Sequence, residues 1–272
     1  MKKTVYLMFV AMIVCGLAIS SCKKDSDNPK PEPPTTKTVL TGMEVTGIML
    51  YENLTYEYEY DSDYRLTGVL AYITNSPETV ISDYDITYSD HRIVVNGTIE
   101  TYGMLIDCDL DDEGRIVTMV RSTYHGDTLD VSRVMTYDYD EDGYLVKETQ
   151  VIDAGDIVSV VTWEDDELKK INSSNGMLVS EYETSNAPTQ VMFSRLGYDI
   201  NMSDLCPQGV FGKLPKHLPS QRALSVYLNP QGEPFHTTIT DYTYTVENNY
   251  VTKLIEKTNA IETTYTFTWE EK

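Results

Sequence analysis

The sequence predicts an all-β protein built as a long antiparallel up-and-down meander. Three observations lead to this prediction. Aromatic residues alternate with acidic ones along many segments, acidic or amide turns separate these segments, and no strand alternates with a helical pattern. Successive side chains of a strand point to opposite faces, so a period of two indicates strands. Without intervening helices, a parallel sheet is not expected.

The chain begins with a segment typical of an exported lipoprotein. Lys2 and Lys3 precede an apolar run of 15 residues, from Val5 to Ile19, which is shorter than a membrane-spanning helix requires. The run ends in Ile19-Ser20-Ser21-Cys22, which resembles a bacterial lipobox. We therefore assign residues 1–21 to a signal peptide and predict that Cys22 carries the lipid. The alternative is an ordinary secretory signal with an accidental cysteine.

Residues 22–38 are predicted to form the lipidated cysteine and a proline-rich tether. Four of the eleven prolines lie there and no aromatic residue does, so the segment cannot form a core. No later apolar stretch approaches 18 residues, so no second anchor is expected. The predicted location is the outer membrane, lipid-anchored, on the periplasmic or the cell-surface side. Residues 39–272 then form one β-meander domain.

The charge of the chain limits its partners. Removal of the signal peptide takes away Lys2 and Lys3, so the net charge of −22 becomes −24 in the mature chain. A field of that sign repels nucleic acid and favours cations or basic partners. We therefore predict no binding of nucleic acid. The predicted partners are the membrane, through the anchor at Cys22, and a glycan or an envelope protein.

A recurring hairpin signature organises the domain. Alternating residues lead into an acidic or amide turn, and an apolar residue restarts the chain. Aspartate, asparagine and glycine tolerate the backbone angles of tight turns. In the first copy, Tyr56, Tyr58 and Tyr60 are expected on one face and Glu57 and Glu59 on the other. The copies lie at 58–66, 86–93, 108–116, 137–145, 161–168 and 244–251.

Further strands are predicted between these hairpins, at 79–88, 98–106, 128–137, 156–163, 177–183, 222–228, 235–246, 250–257 and 261–269. Turns are expected at 75–77, 96–97, 155–156 and 175–176. Residues 196–221 lack alternation and contain Pro207, Pro215 and Pro219, together with the apolar Val210, Phe211 and Leu214. A segment of this kind in a compact domain is usually functional or packed as a plug. We predict an irregular insert there.

Two of the four cysteines remain after export and acylation, Cys108 and Cys206. The envelope permits disulfides, so a bridge between them and a pair of buried free thiols are both open.

The tyrosine, aspartate, glycine and leucine cadence resembles YD-type repeats. Together with the lipobox, the tether and the segment GKLPKHLPS at 212–220, it makes the chain similar to a Bacteroidetes lipoprotein family. That family is catalogued as domain of unknown function 4595 and is described as having a porin-like fold. The resemblance covers residues 40–272 and implies a strongly curved open half-barrel with the insert in its concavity. It assigns no catalytic residue. The cadence breaks at 182–191, where Ala187-Pro188 replaces the acidic turn.

Two kinds of binding chemistry are suggested by the residues. Asp138, Asp140 and Asp142 with Gly143 imitate the start of a calcium loop, but Thr149 stands where a bidentate glutamate is required. A solvated acidic turn explains the same residues, so no metal and no cofactor is predicted. Aromatic rings that stack on sugars suggest a glycan site, although the same residues are good strand formers. The candidate ligand-facing residues are Tyr58, Tyr60, Tyr139, Trp163 and Phe211.

Catalysis is not predicted, because the common nucleophile, zinc and phosphate motifs are absent from the sequence. The leading hypothesis is a non-catalytic envelope lipoprotein that acts as a binding or scaffold module, with glycans as the candidate ligands. The alternative is a carrier of an apolar ligand such as a lipid, and a structural spacer is the third possibility. An enlarged apolar cavity beneath the insert favours the carrier, and an exposed row of aromatic residues favours glycan binding.

Overall fold

The computed structural model describes residues 37–47, 53–152, 155–189 and 209–272. These residues form sixteen strands and one short 3-10 helix, Ser174–Gly176. The strands are β1 Thr38–Thr46, β2 Asn53–Tyr60, β3 Leu66–Ile73, β4 Ser76–Ser89, β5 Arg92–Ile99, β6 Tyr102–Leu110, β7 Ile116–His125, β8 Thr128–Tyr139, β9 Leu145–Val151, β10 Ile157–Glu164, β11 Glu167–Ser173, β12 Leu178–Pro188, β13 His217–Val226, β14 His236–Glu247, β15 Tyr250–Thr258 and β16 Ile261–Glu271.

The strands form one closed antiparallel barrel in which each strand pairs with its neighbours in the chain. The all-β antiparallel meander is therefore confirmed, and the open half-barrel is wrong. The first strand closes the barrel by pairing with the last, with Thr38 opposite Glu271 and Thr46 opposite Thr264. Closure pairs the backbone groups of the two terminal strands, which an open sheet would leave as edges. No local sequence signal encodes a pairing over such a distance along the chain.

Alternation along most strands separates a largely apolar inner face from a polar outer face, although Glu256 of β15 is also buried on the inner face. In β2, Tyr58 is buried in the interior cluster and Tyr56 and Tyr60 pack against it, whereas Glu57 and Glu59 are exposed. This is the arrangement predicted for the first hairpin signature. The pattern recurs in β4, where buried Tyr84 and Ile86 alternate with exposed acids. The outer wall therefore carries much of the negative charge.

The six hairpin signatures form one end of the barrel, which we call the turn end. Its turns lie at 61–65, 90–91, 111–115, 140–144, 165–166 and 248–249. In the first, Asp61 accepts hydrogen bonds from the backbone N–H of Asp63 and of Arg65, each at 2.9 Å. Asp111 accepts from Glu113 and Arg115 in the same way. The acidic residue of the signature is thus the residue that shapes the turn.

A second repeated device fixes the aromatic residues of the turn end. An aromatic side chain near the end of one strand donates a hydrogen bond to a backbone carbonyl near the same end of the preceding strand, its neighbour in the barrel. We call this the aromatic–carbonyl bond. Among the described residues it occurs in six places, at 2.7–2.8 Å: Tyr60 to Leu40, Tyr88 to Leu66, Tyr139 to Ile116, Trp163 to Leu145, Tyr244 to Pro219 and Trp269 to Val251.

The described part of the insert, residues 209–216, packs at the turn end. Phe211 is 1% exposed and belongs to the main interior cluster, and Val210 is buried beside it. Backbone N–H groups tie this segment to three strand connections: Ile116 donates to Val210, Lys213 to Gly143 and Lys216 to Asp166. The segment is thus a packed plug, one of the two outcomes expected for it. Residues 196–208 lie outside the described residues.

Two boundaries of the predicted elements were wrong. The insert was expected to extend to residue 221, but β13 begins at His217 and contains Pro219, which pairs with Thr184 where the register shifts. A proline is tolerated in a strand at such an irregularity. The turn expected at Asn96-Gly97 is strand β5, and the chain turns instead at Glu100, which has a φ of 52°. Gly97 is there because a Cβ would collide with the carbonyl oxygen of Asp83.

Candidate functional site

The five aromatic residues proposed to face a ligand lie in the interior cluster at the turn end. Tyr58 is 7% exposed and Phe211 is 1% exposed, and their rings are surrounded by the core. Tyr60, Tyr139 and Trp163 are half-buried, and each donates its polar hydrogen in an aromatic–carbonyl bond. The structure therefore brings the candidates together, but as packed and hydrogen-bonded residues and not as an exposed row.

Cations cover several aromatic rings of the turn end from the outside. The guanidinium of Arg65 lies 4.8 Å from the ring centre of Tyr88, and that of Arg115 lies 4.7 Å from the ring centre of Tyr139. Arg115 also pairs with Asp111 at 2.7 Å. Burial raises the pKa of Asp111, but the hydrogen bonds from Arg115 outweigh this and leave the pKa below its ordinary value. These contacts stabilise the turn end and leave little ring surface for a ligand.

The calcium candidates do not converge on one point. Asp138 accepts a hydrogen bond from Lys147 at 3.0 Å on the outer face of β8 and β9. Asp140 accepts the backbone N–H of Tyr144 at 2.8 Å and so has the turn-forming role of Asp61. In the described ranges, no group of three histidine, cysteine or acidic side chains could hold a metal ion. Asp138 is thus part of an outer-wall ion pair, and Asp140 is part of an acidic turn.

Cys108 is a buried free thiol on β6. Burial raises its pKa to about 12, and the nearby carboxylates of Asp107 and Asp109 act in the same direction. A thiol with this pKa is neutral and unreactive at neutral pH. Cys206 and the predicted lipid attachment site at Cys22 lie outside the described residues.

The candidate binding site lies on the outer wall near the opposite end of the barrel, which we call the rim. A groove of about 560 Å³ runs across β10, β11 and β12 and is bounded by the connection between β13 and β14. We call it the outer groove. It is lined by Val158, Val160, Lys170, Asn172, Gly176, Val179, Tyr227, Pro230, Gln231 and Gly232.

The strand register explains which side chains form the floor of the outer groove. Val160 is opposite Asn172, and Asn172 is opposite Val179 on the next strand. Val161 and Ile171, the neighbours of Val160 and Asn172 in the chain, are buried in the interior cluster. Val160, Asn172 and Val179 therefore face outward. Val179 is nevertheless only 8% exposed. An outward-facing valine with so little exposure is covered by something, and the covering element is the connection 227–235.

The connection 227–235 is held against the wall by specific contacts. The backbone N–H of Tyr227 donates to the carbonyl of Met177 at 2.9 Å. Gly176 has a φ of 91°, and a Cβ there would lie 3.1 Å from Pro230. Glycine is therefore required both for the backbone angle and for the close approach of Pro230. These contacts position Tyr227 as the aromatic wall of the outer groove.

The electrostatics of this sector differ from those of the rest of the wall. The outward residues of β9 and β10 next to the groove are Lys147, Thr149, Val151, Val158 and Val160, and the one charged residue, Lys147, is paired with Asp138 at 3.0 Å. Lys170 donates to Glu181 at 3.1 Å, so its charge is paired. By contrast, the outward face of β2 carries Glu57 and Glu59, and that of β4 carries Asp83 and Asp85. The groove therefore offers a nearly neutral surface on an acidic protein.

Sequence reasoning missed the outer groove. Residues 227–235 contain Pro230, Gly232 and Pro234, and this signal does predict a connection between two strands. The side on which the connection folds is a tertiary property, because it depends on Met177 and Gly176 from another hairpin. The residues that sequence reasoning singled out are those of the repeat, and the repeat forms the turn end.

The fold defines the class of the protein: a closed antiparallel barrel with a largely apolar, plugged interior and a charged outer wall. Residues 58–272 match the family described as domain of unknown function (DUF4595) with porin-like fold, and the chain belongs to that family. The resemblance inferred from the sequence is thereby confirmed. No curated protein matches the chain.

Two crystal structures of porin-like proteins are similar to the barrel. The protein from Bacteroides uniformis ATCC 8492 has 19% sequence identity and a TM-score of 0.63, and the one from Bacteroides vulgatus ATCC 8482 has 11% identity and a TM-score of 0.61. Each comparison covers 86% of this chain and 99% of the other. At these identities the likeness is one of fold. Within the described ranges, no helix is long and apolar enough to cross a membrane.

Proposed function

We propose that the protein is a non-catalytic lipoprotein of the cell envelope that binds a neutral glycan in the outer groove. The observation that carries the proposal is the groove itself: a concave surface with a volume of about 560 Å³, one aromatic wall and two amide side chains. Its volume lies within the range of about 300 to 1,000 Å³ that is usual for small-ligand sites. The barrel serves as the rigid scaffold for this site.

The lining fits a sugar better than other ligands. Tyr227 offers a ring on which the C–H face of a sugar can stack, and the amides of Asn172 and Gln231 can donate to and accept from hydroxyl groups. The valine floor contributes an apolar surface without charge. The net charge of the chain disfavours anionic polysaccharides, so the ligand class is a neutral glycan.

The anchor is part of the proposal. The lipobox at Cys22 and the proline-rich tether place the protein on the outer membrane, on the periplasmic or cell-surface side. The porin-like proteins from Bacteroides species support an envelope role, since these bacteria have an outer membrane. A Cys22→Ala variant should lose acylation and should no longer partition into detergent. Partitioning that persists would contradict the anchor.

The alternative functions receive less support from the geometry. A carrier of an apolar ligand requires an open cavity beneath the insert, whereas Phe211 and Val210, in the described part of the insert, are buried side chains of the interior. A pure spacer requires no binding surface, and the outer groove is not explained by it. A catalytic role lacks a set of catalytic side chains among the described residues. His217 contacts the carboxylate of Glu167 at 2.6 Å, and this pair ties the start of β13, directly after the plug, to β11.

The proposal is tested by calorimetric titration of residues 23–272 with a panel of neutral oligosaccharides. At least one should bind, and Tyr227→Ala should weaken its binding about tenfold or more, because stacked aromatic residues dominate such sites. Tyr102→Ala is the matched control, since Tyr102 is 41% exposed and lies outside the groove. If no neutral oligosaccharide binds, or if both variants behave alike, the proposed function is wrong.

A further inference from the structure

Exposed apolar side chains are concentrated at the rim. Among the described residues, twelve large hydrophobic side chains are exposed, and eleven of them lie nearer along the chain to a rim connection than to a turn of the turn end. The exception is Val246, which lies beside the turn at 248–249. The two most exposed are Leu228 at 73% and Phe235 at 71%. Single exposed hydrophobic residues are ordinary, but a concentration of them at one end marks an interaction surface.

Leu228 and Phe235 stand on an ordered support. The backbone N–H of Phe235 donates to Val226 at 2.7 Å, and that of Gly232 donates to Asn229 at 2.9 Å. The side chain of Asn229 also accepts the N–H of Gln231 at 3.1 Å. Pro230 and Pro234 restrict the remaining backbone angles. A surface that is ordered before contact loses little conformational entropy on binding.

The chain enters the barrel at the other end. Lys37 and Lys272 exchange backbone hydrogen bonds at 3.1 and 3.0 Å, and the hydroxyl of Tyr64, in the first acidic turn, donates to the carbonyl of Lys272. Any anchor upstream of Lys37 is therefore attached to the turn end. The rim is the end of the barrel without that attachment.

We infer that the rim, whose most exposed apolar side chains are Leu228 and Phe235, is the docking surface for an envelope protein that presents an apolar patch. The chemistry around the two anchors resembles a protein interface: an apolar centre is bordered by the polar residues Asn229, Gln231 and Glu233. This inference rests on the proposed anchor at Cys22 for the choice of partner, and it is independent of the glycan.

A bilayer and a second copy fit the rim less well. Segments that lie on membranes pair their aromatic residues with lysine or arginine, and residues 227–235 contain neither. Two copies joined rim to rim would carry their chain entries at opposite ends, which does not suit anchoring in one membrane. A separate protein as the partner needs neither basic residues beside the apolar ones nor two chain entries on the same side.

The test is site-specific photocrosslinking in cells that produce the full chain. A photoreactive amino acid replaces Leu228, Phe235 or, as the matched control, Val246, which is 41% exposed at the turn end. Irradiation should join positions 228 and 235 to the same protein, and position 246 should give about a tenth of the adduct or less. Phe235→Ser should reduce the adduct formed from position 228 by about thirty-fold, since loss of an interface anchor commonly has an effect of that size.

The other outcomes overturn the inference and remain separable from the glycan proposal. Adducts with a second copy would assign the rim to self-association. Flotation of purified residues 23–272, which lack the predicted anchor, with vesicles of phosphatidylethanolamine and phosphatidylglycerol, abolished by Leu228→Ser with Phe235→Ser, would assign it to lipid. Equal adducts at all three positions, or none, would show that the rim is not a docking surface. An absence of adducts would not bear on the glycan proposal, because the titration of residues 23–272 contains no partner protein.

Discussion

The two ends of the barrel contain the same kinds of side chain and use them differently. At the turn end, Tyr139 donates its hydroxyl hydrogen to the backbone and is covered by Arg115, and Phe211 is fully enclosed. At the rim, Phe235 is 71% exposed and Tyr227 lines a groove. The difference teaches that an aromatic residue in a repeat is a poor guide to function here. The repeat builds the fold, and the candidate sites lie where the repeat is absent.

The largest expected effect comes from the plug. Phe211→Ala should destabilise the protein by about 3–5 kcal/mol, because it removes a buried ring from the interior cluster and leaves a cavity. Phe235→Ala is the control at the rim and should change the free energy of unfolding by no more than about 0.5 kcal/mol. Urea unfolding of the two variants would measure both. Equal losses would show that the two ends do not differ in packing.

The reactivity of Cys108 tests the contrast between buried and exposed positions by chemical modification. With a pKa of about 12, its thiolate fraction at pH 8 should be about a thousandfold lower than that of an ordinary cysteine, and alkylation should be slower by a similar factor. As the pH rises from about 9 towards 12, the unfolded chain loses the thiol proton first, so this residue should lower stability in that range. A cysteine introduced at exposed Leu129 should react at once. Mass spectrometry after iodoacetamide treatment would compare them, and fast modification of Cys108 in the folded protein would contradict its burial.

The aromatic–carbonyl bonds should have a moderate effect. Tyr139→Phe keeps the ring and removes the donor to Ile116, which leaves a carbonyl without its partner and should cost about 1 kcal/mol. Tyr102→Phe, at the rim, should have no measurable effect on thermal unfolding. If the two variants melt alike, the repeated bond contributes nothing to stability.

The smallest effect is expected for the calcium candidates. Asp138→Asn breaks only the outer-wall pair with Lys147, so the change in stability should stay within about 0.5 kcal/mol. Addition of calcium should leave the melting temperature of wild type unchanged. A calcium-dependent rise would require a ligand set that the described carboxylates do not form, since a site filled at 100 times its Kd adds about 2.7 kcal/mol.

Local patterns in the sequence predicted the strands and turns. Contacts between residues that are far apart in the chain leave no such local pattern and could not be predicted. The turn at 61–65 is encoded by Asp61 and its neighbours, so it could be predicted from nine residues. Closure depends on Thr38 meeting Glu271, and the outer groove depends on Tyr227 meeting Met177. Gly97 misled the prediction because a glycine serves equally in a turn and where another backbone approaches closely. The candidate site was therefore outside what local patterns can show.

The most direct test of the division between the two ends is amide hydrogen exchange of the full chain, alone and with isolated cell envelopes. We expect added protection in residues 176–179 and 226–236, at the outer groove and the rim, and no change in the acidic turns at 61–65, 111–115 and 140–144. Protection that falls on the acidic turns and spares 226–236 would show that the turn end makes the contacts and would contradict this account.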